Sequence, residues 1–298
     1  MRSRRLVLAT ERNSLRSPNM LSKPPSKRPR VIVVGGGFGG MSVVRSLASS
    51  PVDITLVDRR NHHLFQPLLY EVATAALSPG QIAVPLRHVF RRQKNTTVVL
   101  GEVDSVDLDA KQIRVDGDTM DYDYLVLATG STHHYFGNDL WEQYAPGLKS
   151  VDDALEIRRR FLLTFERADR TDDPEERERL MTTVIVGGGP TGIELAGTMS
   201  EVARRVLQGE FRNLDTASLK IVLAEGTDRL LPALAPELSE RAKLDLEKLG
   251  VDVRVETFVT GIDHHGVTLK SGEVIPAANV VWACLLYTSD AADDSALV

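Results

Sequence analysis

The chain has a single cysteine, Cys284, among its 298 residues, which excludes a disulfide framework and any redox mechanism built on a dithiol within it. No apolar run approaches the roughly 18 residues that a membrane-spanning helix needs, so membrane contact by this sequence has to be peripheral. Thiolate metal sites are excluded with the dithiol. Six of the seven histidines form three adjacent pairs, His62 with His63, His133 with His134, and His264 with His265. Neighbouring side chains on a strand or helix point apart and no HxxxH spacing accompanies them, so they read as polar residues flanking turns and no metal is expected. What is present is the composition of a soluble globular protein, 42% hydrophobic and 26% charged, with length enough for two domains.

The net charge of -5 is unevenly spread. Residues 1–30 hold nine Lys or Arg against one acid, Glu11, and residues 31–283 hold 27 bases and 37 acids. The basic tail has no apolar periodicity and ends in the proline-rich run KPPSKRPR, so disorder is expected there. It lacks the apolar centre of a secretory signal, and an over-extended gene start with Met20 as the true start explains it more simply than a nucleic-acid arm or a targeting peptide. No nucleic-acid partner is assigned. At the other end, CLLYTSDAADDSALV interrupts a buried-strand pattern and resembles the translation of a transposon-type sequencing adapter. On that reading the natural segment ends at Ala283, and Cys284 is foreign.

From Val31 the pattern is strand, glycine turn, helix, strand: RVIVV, GGGFGG, MSVVRSLASS, DITLVD. A strand apolar on both faces belongs in a buried parallel sheet. The pattern recurs as TVIVGGGPTGIELAGTMSEVARRVL followed by LKIVLAE, so two dinucleotide-type units are expected in one chain. Between them the sequence predicts a helix at QIAVPLRHVFRR, β-rich stretches at TVVLGEVDSVDL and KQIRVDG, a strand at YDYLVLATGS and a long helix at VDDALEIRRRFLLTFERAD. That last helix sets arginines beside apolar residues, which a core-facing helix with a charged outer face explains. A boundary between domains is placed near Gly147 to Val151, giving 31–148 and 149–283.

In the first motif Gly35, Gly37 and Gly40 form G-x-G-x-x-G between a strand and a helix, with Gly36, Phe38 and Gly39 between them. The first glycine makes the tight turn, the second lets a pyrophosphate approach the backbone, and the third lets helix and strand pack closely. Asp58 ends the next strand, where a carboxylate can accept hydrogen bonds from ribose hydroxyls, and Arg59 follows it. The second motif places Gly187, Gly189 and Gly192 in the same context, with Gly188, Pro190 and Thr191. Pro190 suits the first helical turn. The corresponding acid is Glu225, displaced by an insertion around GEFRNLDTAS; it disfavours a 2′-phosphate and so favours NADH over NADPH, with Arg229 near enough to oppose that preference. Glu194, just inside the second helix, admits two readings: a group near the reacting ring of a bound nucleotide, or an acid favoured by the helix dipole in the first turn.

Together GGGFGG, HHLFQPLLYEVATAALSPGQIAVPLR, YDYLVLATGS, GGGPTGIELAG and NVVWA resemble the type II, non-proton-pumping NADH:quinone oxidoreductases of the pyridine nucleotide-disulfide reductase superfamily, over about Val31 to Ala283. The resemblance implies an α/β fold of two Rossmann-like domains, an FAD domain carrying an inserted NADH domain and here incomplete. It implies FAD on the first motif, with Asp58 at the ribose, Val103 near the adenine, Ala128, Thr129 and Gly130 as a second turn against FAD, and Gln66, Pro67 and Leu68 near the flavin. NADH is implied on the second motif, with Glu194 near nicotinamide and flavin. The partners implied are NADH, a membrane quinone, and a membrane surface on the cytoplasmic face reached through a C-terminal segment outside this sequence; a homodimer is compatible with it. Disulfide reductases and sulfide:quinone reductases need cysteines that this chain lacks, so both are excluded unless such cysteines lie beyond residue 283. Hydride transfer needs ring stacking and no acid-base pair, whereas quinone reduction needs a proton, for which Glu194 is the candidate. Two alternatives stay open: a soluble NADH-dependent reductase of a small electron carrier, and a non-enzymatic dinucleotide-binding protein of the apoptosis-inducing-factor type.

Overall fold

The computed structural model describes residues 27–284 and 286–288. The expected disorder of the basic tail and the adapter-like C-terminal string fall, apart from residues 27–30, 284 and 286–288, outside the described residues. Packing divides the chain into two compact units, one of residues 27–60 and 90–128 and one of residues 61–89 and 129–288.

The smaller unit is built on β1 (Arg30–Val34), α1 (Phe38–Ser46) and β2 (Asp53–Asp58). The chain then enters the larger unit as β3 (His62–Leu64), α2 (Leu69–Ala73), α3 (Pro79–Ile82), β4 (Ala83–Pro85) and α4 (Leu86–Val89). It returns to the smaller unit through β5 (Thr96–Leu100), the antiparallel β6 (Val103–Asp107), β7 (Gln112–Val115) and β8 (Asp118–Asp121), and β9 (Tyr124–Leu127). Strands β5, β2, β1 and β9 form a parallel sheet in that order. β1 lies inside it, and Val31, Ile32, Val33 and Val34 are all buried, as an apolar run between two covered faces should be. One face packs Ile32, Val34 and Val57 against Ile113, Val115 and Met120 of the antiparallel ribbon.

The larger unit continues with β10 (Ser131–His133), α5 (Val151–Arg170), α6 (Pro174–Leu180), β11 (Thr182–Val186) and α7 (Pro190–Glu201). After these come β12 (Lys220–Ala224), α8 (Pro236–Lys248), β13 (Val251–Arg254), β14 (Val259–Ile262), β15 (Gly266–Leu269), β16 (Val274–Pro276), β17 (Asn279–Trp282) and β18 (Leu286–Thr288). Its main sheet is again parallel, in the order β13, β12, β11, β17. α5 starts where Ser150 accepts from the Asp153 N–H while the Asp153 carboxylate accepts from the Ser150 N–H, a reciprocal cap. Ala154, Ile157, Phe161, Phe165 and Ala168 recur at helical spacing and are buried, and the arginines lie on the outer face as the pattern required.

Three expectations need correction. The helix over QIAVPLRHVFRR is broken: Ala83 to Pro85 extend as β4, antiparallel to β3. Pro85 has no N–H to continue a helix, and the extended segment gains ladder partners instead. A boundary near Gly147 to Val151 does not follow the packing either. Leu64, Leu69, Val72, Ala73 and Ile82 bury their side chains in one cluster with Phe161, Leu195 and Leu223, which draws residues 61–89 into the larger unit. His264 and His265 do not point apart. They sit in a turn in which Asp263 Oδ1 accepts from the His265 and Gly266 N–H groups, and their ring centroids are 3.8 Å apart.

Candidate functional site: two glycine cradles

Each unit folds its glycine motif in the same way. Gly35 and Gly187 have φ of 106° and 113°, a region that L side chains avoid, so the strand can turn at once into the helix. Gly35 N–H donates to Val57 O and Gly187 N–H to Ala224 O, both at 2.8 Å. A Cβ on Gly40 would stand 1.8 Å from Gly35 O, and one on Gly192 would stand 1.9 Å from Gly187 O. No side chain fits at either third glycine. At Gly37 and Gly189 a Cβ would meet nothing within 4 Å. The second glycine of each motif therefore faces open space, as it must if a pyrophosphate approaches the backbone there.

Gly37 and Gly189 are also the N-caps of α1 and α7, and neither helix start receives a side-chain cap. A glycine at the N-cap has no side chain of its own to accept from the helix N–H groups, an arrangement that suits an anion there, and Pro190 occupies the first helical position, where its missing N–H costs nothing. The strand-end acids match as well. Asp58 Oδ2 accepts from Gly36 N–H at 2.5 Å and its Oδ1 from Arg60 N–H at 2.6 Å. Glu225 Oε2 accepts from Gly188 N–H at 2.6 Å and its Oε1 from Thr227 N–H at 2.7 Å. Each carboxylate is thereby fixed at the lip of its turn with lone pairs left for ribose hydroxyls. The residues present fit a dinucleotide in both units.

Several supporting contacts had no signal of their own in the sequence. The N–H groups of Arg60 and Thr227, each two residues beyond the acid, orient the carboxylates; comparing the two motifs in register would have found them. Ala128 and Ala283 stand beside the turns as a second matched pair, their N–H groups donating to Val34 O and Val186 O. Leu231 N–H donates to Gly188 O, which holds the 227–232 loop over the second turn. Arg229 donates through Nη2 to Pro232 O within that loop, so its guanidinium is tied to the loop backbone rather than to Glu225. The insertion before Glu225 is an ordered excursion. A π-helical turn over Val202–Val206 is tied to it by Arg204 donating to Ala217 O and Thr216 donating to Ala203 O.

Glu194 is the fifth residue of α7, which has no acid in its first turn, so the helix-dipole reading of this residue is not supported. Burial, and secondly the charge of Glu71, hold its carboxyl above the usual carboxylate range. Arg59 is exposed and 4.0 Å from Glu102, and Val103 opens β6 beside the buried cluster of the smaller unit. Gln66, Pro67 and Leu68 form one turn of 3-10 helix in the larger unit, where Gly130 has φ of 73°. A cleft of about 890 Å³ lies elsewhere in that unit, at the amino ends of β11 and β12. Its Arg179, Lys220 and Arg254 are already paired with Glu176, Glu178, and Asp252 with Glu273.

The sequence family of the pyridine nucleotide-disulphide oxidoreductases matches residues 29–291. The chain belongs to this family. Among its curated members it is 43% identical over 267 residues to one type II NADH:quinone oxidoreductase of Mycobacterium tuberculosis, covering 87% of this chain and 58% of that protein. It is 45% identical over 264 residues to a second from the same organism, covering 86% and 56%. The chain thus spans little more than half the length of these relatives. The structure of NDH2 from Plasmodium falciparum in complex with NADH superposes with a TM-score of 0.82 at 24% identity, over 88% of this chain and 56% of that one, and so supports the fold. The resemblance drawn from HLFQPLLYEVATAALSP and the two glycine motifs is borne out, as is the α/β fold with two Rossmann-like sheets.

Proposed function

We propose that this chain carries the nucleotide-binding parts of a non-proton-pumping NADH:quinone oxidoreductase, with FAD on the turn Gly35–Gly40 and NADH on the turn Gly187–Gly192. The observation that carries the reading is the duplication of the whole cradle, three glycines and a fixed acid, in a chain without a cysteine pair. When bound, FAD accepts a hydride from NADH and passes two electrons to the acceptor.

The protein's own part is to bind and orient. The open backbone at Gly37 and Gly189 receives the pyrophosphates, and Asp58 and Glu225 accept from the ribose hydroxyls. Glu225 selects NADH over NADPH, because a 2′-phosphate would meet a carboxylate already fixed in place and Arg229 is tied to Pro232 O. Glu194 holds a proton on its carboxyl group for the reduced acceptor. The flavin-side roles of Gln66, Pro67, Leu68, Ala128, Thr129 and Gly130, and of Val103 at the adenine, belong to the same reading.

The membrane quinone, a peripheral position on the cytoplasmic face and a homodimer rest on the family resemblance. Among the described residues no helix is long and apolar enough to cross a membrane. The purified protein supplied with FAD should retain the flavin through gel filtration, be bleached by NADH without oxygen, and recover its colour on addition of a short-chain ubiquinone. A protein that binds flavin but is not bleached by NADH would overturn the reading.

A further inference from the structure

A nucleotide whose pyrophosphate lies on the second turn and whose ribose meets Glu225 carries its base on the side of the ribose away from the phosphates, so the residues just past Glu225 are the ones that meet the base. Two backbone hydrogen bonds of 2.8 Å fasten the 255–258 segment there: Glu256 N–H donates to Thr227 O, and Thr257 N–H donates to Glu225 O. Glu256 makes the bend with φ of 52°. Phe258, the next residue, then lays its ring against Gly226, where a Cβ would stand 2.9 Å from Phe258 Cε1 and 3.2 Å from Cδ1. The space that a side chain at position 226 would fill is filled by this ring instead. Lys270 N–H donates to Phe258 O at 2.8 Å, and Lys270 Nζ stands 5.5 Å from the ring centroid. Phe258 is nevertheless 54% exposed, which leaves flat apolar surface in water beside the ribose acid.

We propose that the Phe258 ring is the wall on which the adenine of NADH stacks, so that the second turn grips its nucleotide by the base as well as by the pyrophosphate and ribose. The inference rests on the proposed NADH site. The smaller unit shows that the ring is not a by-product of the shared cradle. There Gly101 N–H donates to Asp58 O at 3.0 Å, the counterpart of the Thr257 bond to Glu225 O. The residue after that acid is Arg59 and the residue after that donor is Glu102, an exposed pair 4.0 Å apart. At the same two places the larger unit has Gly226 and Phe258, a missing side chain and a ring pressed into the gap. A phenyl ring held by backbone bonds on both sides of Phe258 is set before the ligand arrives, and stacking on it does not depend on reading the edge of the base.

The test is titration calorimetry of the full chain, supplied with FAD, against ADP-ribose, which carries the adenosine and the pyrophosphate and has no hydride to give. Phe258→Ala should weaken ADP-ribose about tenfold while the urea midpoint stays where it is in the wild type. Phe258→Trp should restore the affinity, and Phe258→Leu should fall between the two. Gly226→Ala, which keeps the ring but drives a Cβ into its place, should weaken ADP-ribose in the same direction. An affinity in Phe258→Ala within about twofold of the wild type overturns the proposal, as does a urea midpoint that falls in step with the affinity. Should Phe258→Ala not fold, Phe258→Leu against Phe258→Trp gives the same comparison, and equal affinities in the two would again overturn it. A wild type that does not bind ADP-ribose sinks the NADH site and this inference together. ADP-ribose weakened as described, in a protein whose flavin NADH does not bleach, sinks the proposed function and leaves the adenine wall standing.

Discussion

Strands β9 and β17 hold the same place in their sheets, each parallel to and beside the strand that leads into the glycine turn, yet they meet different surroundings. Tyr124 and Leu127 at the ends of β9 are 63% and 62% exposed, whereas no residue of β17 exceeds 5%. β17 is covered by α5, through Asn279 Nδ2 donating to Thr164 Oγ1, and by aromatic rings, with Trp282 stacked 5.2 Å from Tyr135 and donating through Nε1 to His134 O. Its outer edge is met by Pro146 O, which accepts from Trp282 N–H. In β9 the apolar sequence YLVL is the equal of NVVW, but its Leu125 and Val126 are only half-buried, Leu125 packing with Ile32, Val34 and Ile113. Strand order alone does not bury a strand. The turns beside these strands show the reverse: their surroundings differ and their geometry is the same.

The most severe way to break the likeness of the two turns is at the third glycine. Gly40→Ala and Gly192→Ala each drive a Cβ into a carbonyl oxygen, and each should destabilise its own unit by at least about 3 kcal/mol, read as loss of a cooperative transition in denaturant. Gly37→Ala and Gly189→Ala should behave oppositely, leaving the transition unchanged while weakening FAD and NADH respectively by about two orders of magnitude in titration calorimetry. A shared loss of both nucleotides in either variant would refute the independence of the two cradles.

The contrast between the fourth strands predicts about 3–5 kcal/mol lost in Trp282→Ala, against a change within about 0.5 kcal/mol in Tyr124→Ala, both by urea denaturation. Tyr124→Lys combined with Leu127→Lys should reduce self-association in light scattering without lowering Tm, since an exposed apolar edge strand is a template for pairing.

A gentler probe is the acid at each lip. Asp58→Asn and Glu225→Gln each leave one neutral hydrogen bond and set an amide NH2, which cannot accept, against the other backbone N–H, so Kd for the corresponding nucleotide should rise by at least about tenfold, and Glu225→Gln should narrow the preference for NADH over NADPH. Equal NADH and NADPH affinities in the wild type would remove Glu225 from the selective role.

The smallest effects belong to the ion pairs at the strand beginnings. Hydrogen bonds from Gln112 and Arg30 hold Asp121 below the usual carboxylate range, and Lys220 does the same for Glu178. Depressed carboxyl groups lend stability that is present above their ordinary range and is lost as pH falls through the folded-state value. These groups are exposed, so Asp121→Asn and Glu178→Gln should lower Tm at neutral pH only slightly, and that difference from the wild type should vanish as pH falls below the folded-state values.

The cradles were readable in advance because each of their requirements is steric and local. A positive φ at Gly35, no room for a Cβ at Gly40 and an acid at the strand end all leave marks within one βαβ unit. The packing of α2 on α7 was not readable in the same way, because Leu69, Val72 and Ala73 lie far before Leu195, Ala196 and Met199 in the chain and share a cluster only once it is folded. The short strand inside QIAVPLRHVFRR was likewise invisible, since its stability comes from pairing with His62 to Leu64 rather than from its own propensity.

By itself the sequence determined the α/β character, the two nucleotide turns and the lack of a cysteine pair within this chain, because glycine sterics, apolar periodicity and residue counts act over short stretches or over none. Tertiary structure alone decided which segments share a core, that β17 is covered while β9 is not, and that α2 packs on α7, because burial depends on groups far apart in the chain.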